Sequence, residues 1–219
     1  MTTDLEKRFR IWYYFRRTFL LLTSLLLAFV IVRAVRHTQT FQPHPFQLSS
    51  KTSYGQVGDF SFTERSGKNV RNTDLLGKVW IANFIFTHCA GPCPLMSFHA
   101  SQLQKDLKDK SNVKIVSFTV DPERDTPQVL TEYAAKYGAD SEKWLFLTGD
   151  KTKIYELCQK DFKLGVAEVP LTQPEALEQP VIHSTKFVLV DPQGQIRGFY
   201  DSQDRADLNQ LVKDAKKIS

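Results

Sequence analysis

The chain has little net charge, little sulfur and no repetition. Beyond residue 36 its 22 basic and 22 acidic residues cancel. The formal +5 of the whole chain therefore belongs to its start. There Lys7, Arg8, Arg10, Arg16, Arg17, Arg33 and Arg36 face only Asp4 and Glu6. A basic pI confined to one end says nothing in favour of nucleic acid, which calls for a basic folded surface. No internal repeat and no low-complexity tract is present, so a solenoid is excluded. Only three cysteines occur, and only Cys89 and Cys93 are neighbours. Two sulfurs are too few for a four-sulfur structural zinc site.

The uncharged apolar run near the start is short for a membrane span. Thr18 to Val32 has fifteen residues and covers about 22 Å of a hydrocarbon core roughly 30 Å thick. Its flanks supply the rest. Ile11 to Phe15 (IWYYF) provides interfacial aromatics and Arg33 can snorkel outward. The basic side predicts a cytoplasmic N-terminus. Val32-Arg33-Ala34-Val35-Arg36 is a poor cleavage site, which favours a signal anchor over a cleaved leader. Arg16-Arg17 before the run also fits a twin-arginine export signal. The division is a cytoplasmic basic tail over 1–17, a single-pass anchor over 18–35, a polar linker over 36–56 and a globular domain over 57–219. His37 and His44 fall in the linker, where a histidine is more often solvated than a ligand.

The globular domain centres on Lys78 to Lys105. Val79 to Thr87 reads as a strand buried on both faces. Met96, His99, Leu103 and Leu107 recur at helical spacing over Met96 to Leu107. Cys89 and Cys93 lie at the junction, with Pro92 and Pro94 beside Cys93. Nearness to a helix N-terminus favours thiolate. If this segment is helical, the two thiols stand on one face, one turn apart. Such a pair can close on a soft metal ion or oxidise to a disulfide.

Around this centre, Phe60–Thr63 and Asn69–Arg71 form a short hairpin through Ser66-Gly67-Lys68. Strands follow at Val113–Val120, Trp144–Leu147 and Lys163–Val169. A helix spans Pro127 to Tyr137, capped by Asp125 or Thr126, with Asp125 the favoured structural cap. Lys151–Phe162 is a second helix, whose Cys158 is in phase with Ile154 and Leu157 and reads as core. Pro170–Pro180 is a polar loop, Phe187–Asp191 and Gln195–Tyr200 a hairpin, and Arg205–Ile218 a terminal amphipathic helix. The order predicts an α/β sheet covered on both faces, with ligands at the carboxyl ends of its parallel strands. Cys89 sits at such an end. His183, just before the Phe187–Asp191 strand, is a candidate third ligand beside the thiol pair.

Three ordered segments resemble one family. Phe86-Thr87-His88-Cys89-Ala90-Gly91-Pro92-Cys93-Pro94, Asp121-Pro122-Glu123-Arg124-Asp125-Thr126-Pro127, and His183-Ser184 with Phe187-Val188-Leu189-Val190-Asp191 and Gly194 are similar to the TxCxxxCP, DPERDTP and HS…LVD..G segments of SCO/SenC proteins. The resemblance runs from about Gly58 to Leu211. It implies a thioredoxin-like fold with an added β-hairpin, behind one N-terminal transmembrane helix. It places the domain in the periplasm or another exported compartment. It also implies copper, as Cu(I) or Cu(II), held by Cys89, Cys93 and His183. Two departures stand out: Ala90-Gly91-Pro92 replaces the frequent Pro-Asp-Val, and Ile182 stands where many members have Asp. The ligands survive both, while a carboxylate neighbour to the metal is lost.

The donor set agrees with copper on its own chemistry. Two thiolates suit Cu(I), thiolate with imidazole suits Cu(II), and three ligands leave structural zinc incomplete. The favoured function is a metallochaperone, rather than an enzyme, for the binuclear copper centre of cytochrome c oxidase subunit II or a similar copper protein. An upstream copper donor or thiol reductant would be its other partner. The alternative is a thiol–disulfide oxidoreductase using Cys89 and Cys93 as its redox pair. A thiol peroxidase ranks last, because His183 would then lack a role.

Overall fold

Apolar runs bounded by turn residues dictate the strands. The computed structural model describes residues 53–89, 91–168 and 181–219, and residues 12, 16–24, 26–27, 29 and 33 of the N-terminal segment. Strands β1 (Ser61–Glu64) and β2 (Asn69–Arg71) form the first hairpin, and a single 3₁₀ turn over Asn72–Leu75 leads to β3 (Val79–Ile85). All seven residues of β3 are buried. Helix α1 (Cys93–Asp106), β4 (Val113–Thr119), α2 (Pro127–Lys136), β5 (Trp144–Thr148) and α3 (Lys151–Glu156) follow. The last continues into one π turn over Leu157–Asp161. The chain then supplies β6 (Val166–Glu168), β7 (Val181–His183), β8 (Lys186–Val190), β9 (Ile196–Asp201) and α4 (Arg205–Ile218).

Seven strands form one mixed sheet in the order β2-β1-β5-β4-β3-β8-β9. β3, β4 and β5 are parallel, while β1 and β8 join them antiparallel. Alternation sends successive side chains of β3 and β4 to opposite faces. On one face Ile81, Ile85 and Ile115 pack under Met96, Ala100 and Leu103 of α1, Leu130 of α2 and Leu211 of α4. On the other, Trp80, Phe84 and Phe118 pack under Ile154, Leu157, Cys158 and Phe162, with Phe60 and Phe62 from the opening segment. This is the α/β thioredoxin-like arrangement the sequence predicts, and it exposes the carboxyl ends of three parallel strands together.

Three boundaries differ from expectation. Helix α1 begins at Cys93, nearly a turn before Met96, because Pro92 and Pro94 fit a first helical turn and the Met96 N–H reaches the Pro92 carbonyl at 3.0 Å. Among the described residues of the expected Lys163–Val169 strand only β6 is a strand, and it pairs with β7 in a separate two-stranded ribbon. Asp125 does not cap α2: the Thr126 side chain accepts the Val129 N–H.

Residues Met1–Pro45 form a unit apart from Phe46–Ser219. Its described residues are helical, and Phe19, Leu20, Leu21, Leu22, Leu26, Leu27 and Phe29 are exposed. Among the described residues no helix is long and apolar enough to cross a membrane. Residues 25, 28, 30–32, 34 and 35 of the expected span, His37 and His44 in the linker, and the loop expected over Pro170–Pro180 lie outside the described residues.

Candidate metal centre

The site grows from the carboxyl end of β3. Buried Phe86 is followed by a turn carrying Thr87, His88 and Cys89. Cys93 is the first residue of α1. Cys89 thus precedes the helix, and the expectation that one helical face presents both thiols is corrected. The two are nevertheless brought together, with a hydrogen bond between the Cys93 and Cys89 side chains. The Gly91 N–H donates to Cys89 Sγ at 3.3 Å. All three cysteines are free thiols. Cys89 retains 8% of its surface and Cys93 none, so Cys89 is the sulfur an incoming group meets first.

The Cys93 thiol is pushed up, above all by its hydrogen bond to Cys89 and then by burial, against a lowering by the Phe86 backbone, with lesser raising by the charges of Cys89 and Asp125. At Cys93 enclosure and the neighbouring sulfur thus act against the thiolate that a helix N-terminus favours. Cys158 is fully buried, and burial pushes its thiol up to about 12. Its sulfur lies 3.8 Å from the Leu164 carbonyl oxygen, inside the apolar cluster, as a core cysteine should.

Beneath the turn lies a polar anchor that sequence reasoning missed. Asp125 is fully buried. It accepts from the Thr87 N–H at 3.1 Å, the Thr87 hydroxyl at 2.5 Å and the Thr119 hydroxyl. The Thr87 oxygen also lies 3.0 Å from Nδ1 of His88, whose ring is exposed. Asp125 reads as a cap in sequence because it stands beside Thr126-Pro127. The available signal was its place in the segment after β4, at the same sheet edge as Cys89.

His183 ends β7, and its backbone pairs with Val166. Because β8 runs antiparallel to β3, with Trp80 opposite Val190 and Ala82 opposite Val188, the start of β8 lies toward the end of β3. His183 precedes that start by three residues. Its side chain lies outside the described residues. Among the described residues no group of three or more His, Cys, Asp or Glu is placed to hold a metal ion. The described donor set is a soft, enclosed sulfur pair, which fits Cu(I).

Comparison with known proteins agrees with this geometry. A family model described as SCO1/SenC matches residues 49–218. The SCO1 protein homolog of Bacillus subtilis (strain 168) is 39% identical over 175 residues, covering 79% of this chain and 87% of the relative. The crystal structure of a SCO1/SenC family lipoprotein from Bacillus anthracis str. Ames superposes with a TM-score of 0.70 at 32% identity, over 78% of this chain and 99% of that one. BsSco, described as having a disulfide switch and as a member of the Sco family of cytochrome c oxidase assembly proteins, gives 0.66 at 39% identity, over 78% and 97%. Copper-bound ScoI of Bradyrhizobium japonicum gives 0.63 at 25% identity, over 75% and 99%.

Proposed function

The chain belongs to the SCO1/SenC family, and from that premise we propose that it is a copper-binding metallochaperone that assists assembly of the binuclear copper centre of cytochrome c oxidase subunit II. The observation that carries this reading is the contact between two enclosed thiols, Cys89 and Cys93, at the carboxyl end of the central strand. Copper is the cargo, and Cys89, Cys93 and His183 are its proposed ligands. Soft sulfur retains Cu(I), imidazole extends the set to Cu(II), and a three-ligand site leaves a position open for a client's donor. The copper-bound state of the Bradyrhizobium relative supports the assignment.

A second reading is a thiol–disulfide oxidoreductase that reduces partner cysteines. The Cys89–Cys93 hydrogen bond favours it, since sulfurs that close can also bond covalently. The disulfide switch described for BsSco points the same way. An upstream copper donor or a thiol reductant would be the second partner.

The chain is proposed to work from a membrane, with 1–17 as a cytoplasmic tail, 18–35 as a single-pass anchor, 36–56 as a linker and 57–219 as the domain facing the periplasm or another exported space. Large apolar side chains exposed along the N-terminal helical residues support an anchor. So do the hydroxyls of Thr23 and Ser24, which turn back to the carbonyls of Leu20 and Leu21 at 3.0 and 2.8 Å, as side chains without water must. The lipoprotein description of the Bacillus anthracis relative indicates a membrane-bound relative.

Copper titration of the reduced full chain in detergent tests the function. One ion per chain and a thiolate-to-Cu(II) absorption band are expected in the wild type, with loss of affinity in Cys89→Ser, Cys93→Ser and His183→Ala. A cysteine variant that binds as tightly as the wild type overturns the shared site. A normal His183→Ala leaves a dithiolate and turns the balance to the oxidoreductase.

A further inference from the structure

We propose that His88 is a docking ligand, which takes the incoming copper ion on Nε2 before Cys89 and Cys93 receive it; this rests on the copper reading above. The argument starts from one proton. The Thr87 hydroxyl has a single hydrogen, and at 2.5 Å it is given to Oδ1 of Asp125. The Asp125 carboxylate already accepts from the Thr87 N–H and the Thr119 hydroxyl, so it acts as an acceptor throughout. Toward His88 the Thr87 oxygen is then left only its lone pairs. The 3.0 Å contact to Nδ1 must be a donation from the ring. The neutral imidazole therefore carries its hydrogen on Nδ1, and Nε2 keeps the free lone pair.

That is the state a metal-binding histidine needs. Such residues fix their tautomer and orientation by donating the other ring N–H to an anchored acceptor. Here the acceptor is a hydroxyl held by a fully buried carboxylate. A purely structural role explains the arrangement less well. The turn is already tied to Asp125 by the Thr87 N–H and the Thr87 hydroxyl, and an exposed imidazole adds little packing.

Exposure falls along the path a metal must follow. His88 is exposed, Cys89 retains 8% and Cys93 none. A hydrated Cu(II) ion reaches an exposed imidazole without disturbing the fold, whereas it reaches an enclosed sulfur only after shedding water. His88 and Cys89 are consecutive, about 3.8 Å apart at Cα. In the transfer the Cu–Nε2 bond breaks as Cu–S bonds form. The thiol hydrogens leave to water as protons, and no electron is moved.

The test mixes the reduced full chain in detergent with aqueous copper(II) below one equivalent. Stopped-flow absorption follows the thiolate-to-Cu(II) band, and freeze-quench EPR reads nitrogen hyperfine structure at early times. His88→Ala is expected to slow the band roughly tenfold, as loss of a metal-supporting group typically does, and to weaken the early nitrogen signal. His37 and His44 remain in every variant, so the difference belongs to His88. Thr87→Val should slow the band in the same direction, and Thr87→Ser, which keeps the hydroxyl, should restore the wild-type rate. A wild-type rate and early signal in His88→Ala overturn the docking role alone. A wild type that never develops the band overturns the copper reading and this inference with it.

Discussion

The backbone N–H and the hydroxyl of Thr87 both end on the carboxylate of Asp125, at 3.1 and 2.5 Å. Two residues 38 positions apart thereby fix the turn that carries Cys89. The parallel register makes this reachable: Ile85 stands opposite Thr119, so the segments leaving β3 and β4 emerge side by side. Thr119 adds its hydroxyl to the same carboxylate. A carboxylate that gathers three donors stiffens the edge from which the thiols act.

Removing that carboxylate leaves the Thr87 and Thr119 donors without an acceptor inside the protein. A buried donor left unpaired costs about 1–3 kcal/mol. Asp125→Ala is therefore expected to lower stability by about 3 kcal/mol or more in urea denaturation. A loss below about 1 kcal/mol would show that the anchor contributes little.

Thr126→Ala provides the contrast. Thr126, not Asp125, caps α2 through the Val129 N–H at 3.4 Å, an exposed and long bond. Loss of an N-cap costs about 1 kcal/mol. The same denaturation should rank Asp125→Ala well above Thr126→Ala. The reverse order would restore Asp125 to the capping role that its position before Pro127 suggests.

The comparison of these two neighbours shows what a sequence can carry. The buried strand at Val79, the thiol pair and the core setting of Cys158 are local patterns of period and spacing, and the fold reproduces them. Asp125 and Thr126 both look like caps, because helix starts are also local. What separates them is the pairing of β3 with β4, which no window of sequence contains. The same limit applies to His183: its strand exists only through pairing with Val166 across the chain. The start of α1 differs for another reason: the apolar period begins only at Met96, whereas the first helical turn is set ahead of it around Pro92 and Pro94.

Asp121 gives a prediction in pH. Burial raises its carboxyl above the ordinary value, only partly countered by Arg124 at 3.1 Å. A raised folded-state carboxyl holds its proton to higher pH than the unfolded chain does. Its effect on stability is thus most favourable below the unfolded value of 3.8 and is lost as pH rises through the raised folded value. Asp121→Asn carries no charge to bury. Its denaturation midpoint, relative to the wild type, should climb across that window and then level off. A wild type that instead gains on the variant as pH rises would mean that the Arg124 pairing outweighs burial.

The three thiols should sort by exposure and protonation. Only thiolate alkylates. A thiol with a pKa near 12 is ionised to about one part in ten thousand at pH 8. Cys158 is also fully enclosed. Iodoacetamide at pH 8 should therefore leave it unlabelled in the native reduced full chain and label it once denaturant is added. Cys89, with its 8% of exposed surface, should react first. Cys93 is held protonated by Cys89 and by burial, and should follow more slowly. Mild oxidation before alkylation should protect Cys89 and Cys93 together through a disulfide, since their side chains already touch. Peptide mass mapping under non-reducing conditions reads all of these outcomes. A Cys89–Cys158 bond as the dominant oxidised species would contradict both the pairing and the core placement of Cys158. Native labelling of Cys158 as fast as that of Cys89 would mean that the α3 side of the core opens far more often than its packing implies.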